Sequence, residues 1–173
     1  GDYVYLGTSK NGLYISNNNG ESWTNKKIPL SKLPSKAISG IEIDPFDSSK
    51  VYAALVGEKA LIYVSNDYGQ TWSKLNNHAT FSTIHELTVD PNNDAIVYSA
   101  PWGGGLFVSN NYGQTWKEIN TPTISISSAI VDPQNSNHLI IGDRTKPKIY
   151  ESFDKGKTWN ELVSLDEKDY YRV

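Results

Sequence analysis

The chain has 173 residues, 16 basic and 19 acidic side chains for a formal charge of −3, and neither cysteine nor methionine. Its charges are mixed in sign, without the basic stripe that binding to a phosphate backbone requires, and with no cysteine there are no disulfides or thiolate metal sites. No apolar run approaches the roughly 20 residues of a membrane-spanning helix, and no signal peptide is visible, although residue 1 is Gly and a leader removed before it would go unseen.

Taken in order, the chain reads as short strands with no helical period. Residues 2–8 alternate in character. Lys10-Asn11-Gly12 then turns the chain into Leu13 to Ser16, and a third strand follows near residues 22–28. After a polar stretch punctuated by proline (29–36) come full sets of four. The second set is expected at 38–44, 51–55, 61–65 and 71–75. The third is expected at 81–90, 95–100, 106–109 and 115–119, and the fourth at 124–132, 138–141, 148–152 and 158–163. The first strand of each full set closes on Asp-Pro, at Asp44-Pro45, Asp90-Pro91 and Asp132-Pro133. Each pair fits a turn opened by Asp, with Pro fixing φ at the next position.

Ahead of the last strand of every set the chain writes one phrase, four times in all. Its copies run Ser16 to Trp23, Ser65 to Trp72, Ser109 to Trp116 and Ser152 to Trp159, at steps of 49, 44 and 43 residues. A short polar side chain at the third position (Asn18, Asp67, Asn111, Asp154) can bond backbone N–H groups just ahead of it. The glycine two residues later (Gly20, Gly69, Gly113, Gly156) suits φ > 0. Thr or Ser then restarts an extended strand, and the Trp can bury a large area against the next unit. Two of the four polar positions are neutral Asn, which a turn tolerates and a charge-dependent metal site does not. These sixteen residues are therefore expected to be folding devices.

The pattern S-x-[DN]-x-G-x-[ST]-W resembles the Asp-box, or BNR repeat, of β-propellers such as sialidases, xyloglucanase-type glycoside hydrolases and sortilin-type receptors. The resemblance covers nearly the whole chain and implies an all-β propeller of four-stranded antiparallel blades, with four blade equivalents in one module. The expected blades are 2–28, completed by 169–173, then 37–76, 80–120 and 123–164. The chain would then open on a second strand and end on a lone first strand, the phase in which a propeller closes. Three closures fit: further blades from a longer parent chain, a second copy making eight, or a four-bladed ring. An open arc would leave two apolar end faces.

Ligands of the resembling families bind on the face opposite the boxes. Here that face carries the loops Thr8 to Gly12, Gly57 to Ala60, Pro101 to Gly105 and Asp143 to Pro147. Trp102 has no counterpart in the other repeats, and Gly103 and Gly104 after it allow close approach, so these three are the first candidate ligand residues. Glu58, Asp143 and Arg144 are the charged candidates on the same face. Glu42 and Glu86 fall on one alternating face of the first strands and are candidates to point into the channel.

The resemblance implies a non-catalytic binding or assembly module, for extracellular carbohydrate or another protein, at the cell surface or outside it. The alternatives are part of a xyloglucanase-like hydrolase whose acids lie partly outside this chain, and a purely structural or protein-interaction propeller. A sialidase needs three arginines for its substrate carboxylate, and only Arg144 and Arg172 are present. No catalytic pair is assigned. No cofactor or metal is expected, since there is no phosphate loop or HExxH and the spacing of His78, His85 and His138 suits no metal.

Overall fold

The computed structural model describes residues 3–26, 37–56, 61–75 and 83–164. Among them lie fifteen strands in four antiparallel sheets. Blade I holds β1 (Val4–Gly7), β2 (Leu13–Ser16) and β3 (Thr24–Lys26). Blade II holds β4 (Ile38–Ile43), β5 (Val51–Leu55), β6 (Leu61–Ser65) and β7 (Ser73–Lys74). Blade III holds β8 (Ile84–Asp90), β9 (Asn93–Pro101), β10 (Leu106–Ser109) and β11 (Lys117–Ile119). Blade IV holds β12 (Ile126–Asp132), β13 (Asn135–Asp143), β14 (Lys148–Ser152) and β15 (Asn160–Ser164). Each sheet runs in sequence order, so every neighbouring pair is a hairpin, as in the blades of a β-propeller. The expected completion of blade I by 169–173 lies outside the described residues.

The Asp-Pro pairs make the turns between first and second strands. Asp44 Oδ1 accepts from the backbone N–H of Phe46 at 2.9 Å, and Asp90 and Asp132 accept from Asn92 and Gln134 at 2.9 and 2.8 Å. Asp44 is fully buried and paired with Lys50 at 2.9 Å, while Lys50 Nζ also lies 3.4 Å from Asp94 and 4.5 Å from the ring centre of Tyr112. Charge and cation–π contact thus join blades II and III on this side.

The core lies between blades, in three layers. Each layer joins the trailing face of one blade to the leading face of the next. Leu13 and Ile15 meet Val51, Ala53, Leu55 and Trp72. Tyr52, Ile62 and Leu75 meet Ile84, Leu87, Val89 and Val97. Tyr98, Ala100 and Leu106 meet Ile126, Ala129, Leu139 and Ile141. The alternation of each strand therefore serves two layers, so both faces of an inner blade are apolar.

The four boxes build the same turn. The serine hydroxyl donates to the polar side chain two residues on, at 2.7–2.9 Å, and accepts from the glycine N–H at 2.7–2.8 Å. The polar side chain in turn accepts from the N–H of the following Ser or Thr at 2.8–2.9 Å. Asp67 and Asp154 also accept from the hydroxyls of Thr71 and Thr158, at 2.5 and 2.6 Å. Asn18 and Asn111 instead donate from Nδ2 to the hydroxyls of Ser22 and Thr115, at 3.0 and 2.9 Å. Acid and amide fill one geometry, and only the direction of a single hydrogen bond changes.

Two consecutive residues of every box are left-handed. The glycines have φ of 80–87°, and the residues before them, Asn19, Tyr68, Tyr112 and Lys155, have φ of 56–60°. In blades II to IV the residue before the glycine ties the box to the start of the second strand of its own blade, or to the turn just ahead of it. Tyr68 N–H donates to Ser49 O, Tyr112 to Ala95 O and Lys155 to Asn137 O, at 2.9–3.0 Å.

Candidate functional site

Asp-Pro turns and boxes thus share one side of blades II to IV, which leaves the loops between second and third strands on the other. There Trp102 follows β9, its N–H donating to Thr83 O at 2.9 Å, and Gly104 N–H closes the turn on Pro101 O at 3.1 Å. Gly103 and Gly105 have φ of 65° and 73°, and a Cβ at Gly103 would meet nothing within 4 Å. The turn leaves Gly103 open to solvent and Trp102 54% exposed.

Blade IV reaches over to meet it. The Arg144 guanidinium stacks on the indole, 3.6 Å from the ring centre, and Arg144 Nη1 donates to His85 Nε2. The imidazole of His85 lies 4.7 Å from the indole at 37°. Burial and then the nearby guanidinium lower the pKa of His85, which keeps it neutral and able to accept that bond. A shallow cleft of about 60 Å³ opens beside this trio, lined also by Gly103, Ser125 and Thr145. Tryptophan, arginine and histidine form one aromatic and cationic surface across two blades.

The remaining candidates fall elsewhere. Asp143 is buried, and its Oδ1 accepts from Thr145 N–H at 2.7 Å, Thr145 Oγ1 at 2.9 Å and Lys146 N–H at 3.1 Å. Burial pushes its pKa up, but these bonds outweigh it and hold the carboxyl ionised below its usual range. Asp143 shapes the loop that carries Arg144. Gly104 is buried within the turn, and Glu58 lies outside the described residues. Glu42 and Glu86 face the same way, pairing with Tyr52 and Ala100, and line a hollow of about 330 Å³ where β4, β8 and β12 converge. Burial raises both, Glu42 to about 7 despite its bond from Val89 N–H at 3.1 Å. Sequence reasoning passed over His85 as a site residue, because its partner Arg144 is 59 positions away on another blade. Among the described residues no group of three potential ligands could hold a metal ion, and no helix is long and apolar enough to cross a membrane.

The profile of the family described as sortilin, neurotensin receptor 3, matches residues 11–100, more than half of the chain. The chain belongs to the sortilin family. The BNR-Asp box repeat profile matches residues 106–119, which include the third box. No curated protein matches the chain in sequence. Among solved structures, the GH74 xyloglucanase from Xanthomonas campestris superposes with a TM-score of 0.78 at 17% identity, over 95% of this chain and 29% of the enzyme. An ancestral GH74 enzyme gives 0.74 at 21%, over 96% and 23%. YCF48 from Cyanidioschyzon merolae gives 0.69 at 14%, over 95% and 53%. These likenesses establish the fold, and the chain spans only about a quarter of the two enzymes' length and half of YCF48.

Proposed function

We propose that this Asp-box propeller is a non-catalytic binding module, acting outside the cell or at its surface, whose ligand is a carbohydrate taken on Trp102. The observation that carries the reading is the half-exposed indole, held from one side by Arg144 and bordered by the open turn at Gly103. Indole faces suit the apolar faces of sugar rings, and guanidinium N–H groups suit their hydroxyls. The buried, ionised Asp143 supports the non-catalytic part. Its Oδ1 is taken up by its own loop, accepting from the Thr145 and Lys146 N–H groups and the Thr145 hydroxyl, so it shapes the loop and is not presented to a ligand beside Trp102.

A glycan array probed with the wild type, Trp102→Ala and Trp102→Phe tests this. Trp102→Ala is expected to lose the signal while the unfolding midpoint moves little, because the side chain is largely exposed. By analogy with aromatic–base stacking, the indole contributes on the order of 1–3 kcal/mol, enough to lose a weak ligand. Trp102→Phe should retain part of the binding. If the wild type binds no glycan and Trp102→Ala costs several kcal/mol of stability, the residue is packing and the reading fails. Turnover of a xyloglucan oligosaccharide by the wild type would favour the hydrolase instead.

A further inference from the structure

The surface around Trp102 is rich in hydrogen-bond donors and poor in acceptors. The carbonyls at the base of its two loops already accept bonds. Thr83 O takes Trp102 N–H at 2.9 Å and Pro101 O takes Gly104 N–H at 3.1 Å. Across the joint, Ile124 O takes Gly105 N–H at 3.0 Å and Ser125 O takes Arg144 N–H at 2.7 Å. Asp143, next to Arg144, is only 6% exposed, and its Oδ1 is bonded within its own loop. His85 Nε2 accepts from Arg144, so the neutral ring carries its proton on Nδ1 and is there a donor. Among the described residues no carboxylate lines the cleft.

Arg144 brings a full positive charge and a planar fork of N–H groups, of which Nη1 goes to His85. Stacking at 3.6 Å from the indole centre engages the face of the guanidinium, while its hydrogen bonds leave by the edge. The residue is held at both ends, by Ser125 O on its backbone N–H and by His85 on its head group, so the charge stands beside the indole before a ligand arrives. Lys146, exposed on the same loop, has the same sign. A neutral sugar hydroxyl is donor and acceptor at once, and on this surface its proton finds few partners. A carboxylate or sulfate only accepts, and it meets an arginine fork with two parallel bonds.

We propose that the sugar taken on Trp102 is anionic, with a carboxylate or sulfate on the guanidinium edge of Arg144 and the ring on the indole. This rests on the carbohydrate reading of Trp102 and narrows it to one class of ligand. Arg144 then sets specificity, while Trp102 supplies the part of the affinity that charged and neutral rings share.

An array that pairs uronic-acid oligosaccharides with their carboxyl-reduced neutral counterparts, and also carries sulfated oligosaccharides, tests it. The wild type is expected to bind its best anionic member at least ~tenfold more tightly than the neutral counterpart. Whether that member is a uronate or a sulfated sugar identifies the anionic group. In titrations with it, Arg144→Gln should lose at least ~tenfold in affinity, and Arg144→Lys less, since lysine keeps the charge without the fork. Binding to the wild type should also weaken as sodium chloride rises from ~0.05 to ~0.5 M. Arg144 is exposed, so circular dichroism should show both variants folded. Equal affinity for charged and neutral counterparts overturns the proposal, as does an anionic ligand held equally by the wild type and Arg144→Gln. If Trp102→Ala still abolishes binding in either case, the carbohydrate reading of Trp102 stands without it. A wild type that binds no member of the array overturns both.

Discussion

Blades I and II carry the same box and the same strand order, yet their leading faces end in opposite states. Val4 and Val51, Leu6 and Ala53, and Trp23 and Trp72 are register equivalents. In blade II they are buried against blade I, with Trp72 only 9% exposed, whereas in blade I Trp23 is 40% exposed. The serine-centred frame of the box is the same in both blades, down to Gly20 N–H and Gly69 N–H on their serine hydroxyls at 2.8 and 2.7 Å. The turn is therefore a local product of eight residues. Burial of the tryptophan is supplied by the neighbour, so one motif has a fixed shape and a variable energetic worth.

The sharpest way to break this comparison is to remove the two tryptophans. Trp72→Ala should cost about 3–5 kcal/mol by urea unfolding, since it empties a packed layer. Trp23→Ala, at a side chain already 40% exposed, should cost less than about 1 kcal/mol in the same measurement. Equal losses would mean that the tryptophan works within its own turn and not between blades. Alanine at the glycines gives an intermediate effect. Gly20→Ala bears only the strain of φ near 87°, roughly 1 kcal/mol, while Gly69→Ala adds a clash with Ile15 and should cost about 2–3 kcal/mol. Equal costs would show that the layer yields freely there.

The smallest effects belong to the acid–amide exchange. Asp67→Asn and Asn18→Asp should each change stability by less than about 0.5 kcal/mol at neutral pH, because both boxes have the same frame. Their pH dependence should separate them. Slight burial raises the pKa of Asp67, but its bonds from the Thr71 hydroxyl and backbone N–H outweigh this and bring it down to about 2. A lowered folded-state pKa contributes stability that is complete above the unfolded value near 4 and is lost as pH falls towards 2. Acid unfolding of Asp67→Asn should lack that share of the loss, and Asn18→Asp should acquire one. Superimposable acid profiles for all three proteins would break the assignment.

The parts of the fold set by local chemistry were legible in the sequence. The strand before each of the four boxes has the limits expected from the sequence, because each ends on the box serine whose hydroxyl begins the turn. The fourth strands are shorter than expected at their start. Ser73–Lys74 replaces 71–75, since Thr71 N–H is held by Asp67 and cannot join the ladder. The second strands of blades III and IV are longer than expected, with pairing down to Asp90↔Asn93 and Asp132↔Asn135 at the tight Asp-capped turns. The positive φ of Tyr68, Tyr112 and Lys155 was not legible, because those side chains carry no signal for it beyond the glycine that follows. The trio at Trp102 was legible only in part. Two of its members stand out on loops, but their meeting with His85 depends on how blade IV leans over blade III.

The span of the box bonds has a consequence for the order of folding. Serine to glycine and acid to threonine are both separated by four positions, so closing the turn fixes little chain and carries almost no loop entropy. The bond from Tyr68 to Ser49 closes a longer loop, and the layers between blades need whole hairpins already in register. The third and fourth strands of each repeat should therefore pair first, on the timescale of an isolated hairpin, with stacking following as the slow step. Ser65→Ala should then slow folding with a φ-value near 1, while Trp72→Ala, larger in stability, should act mainly by speeding unfolding.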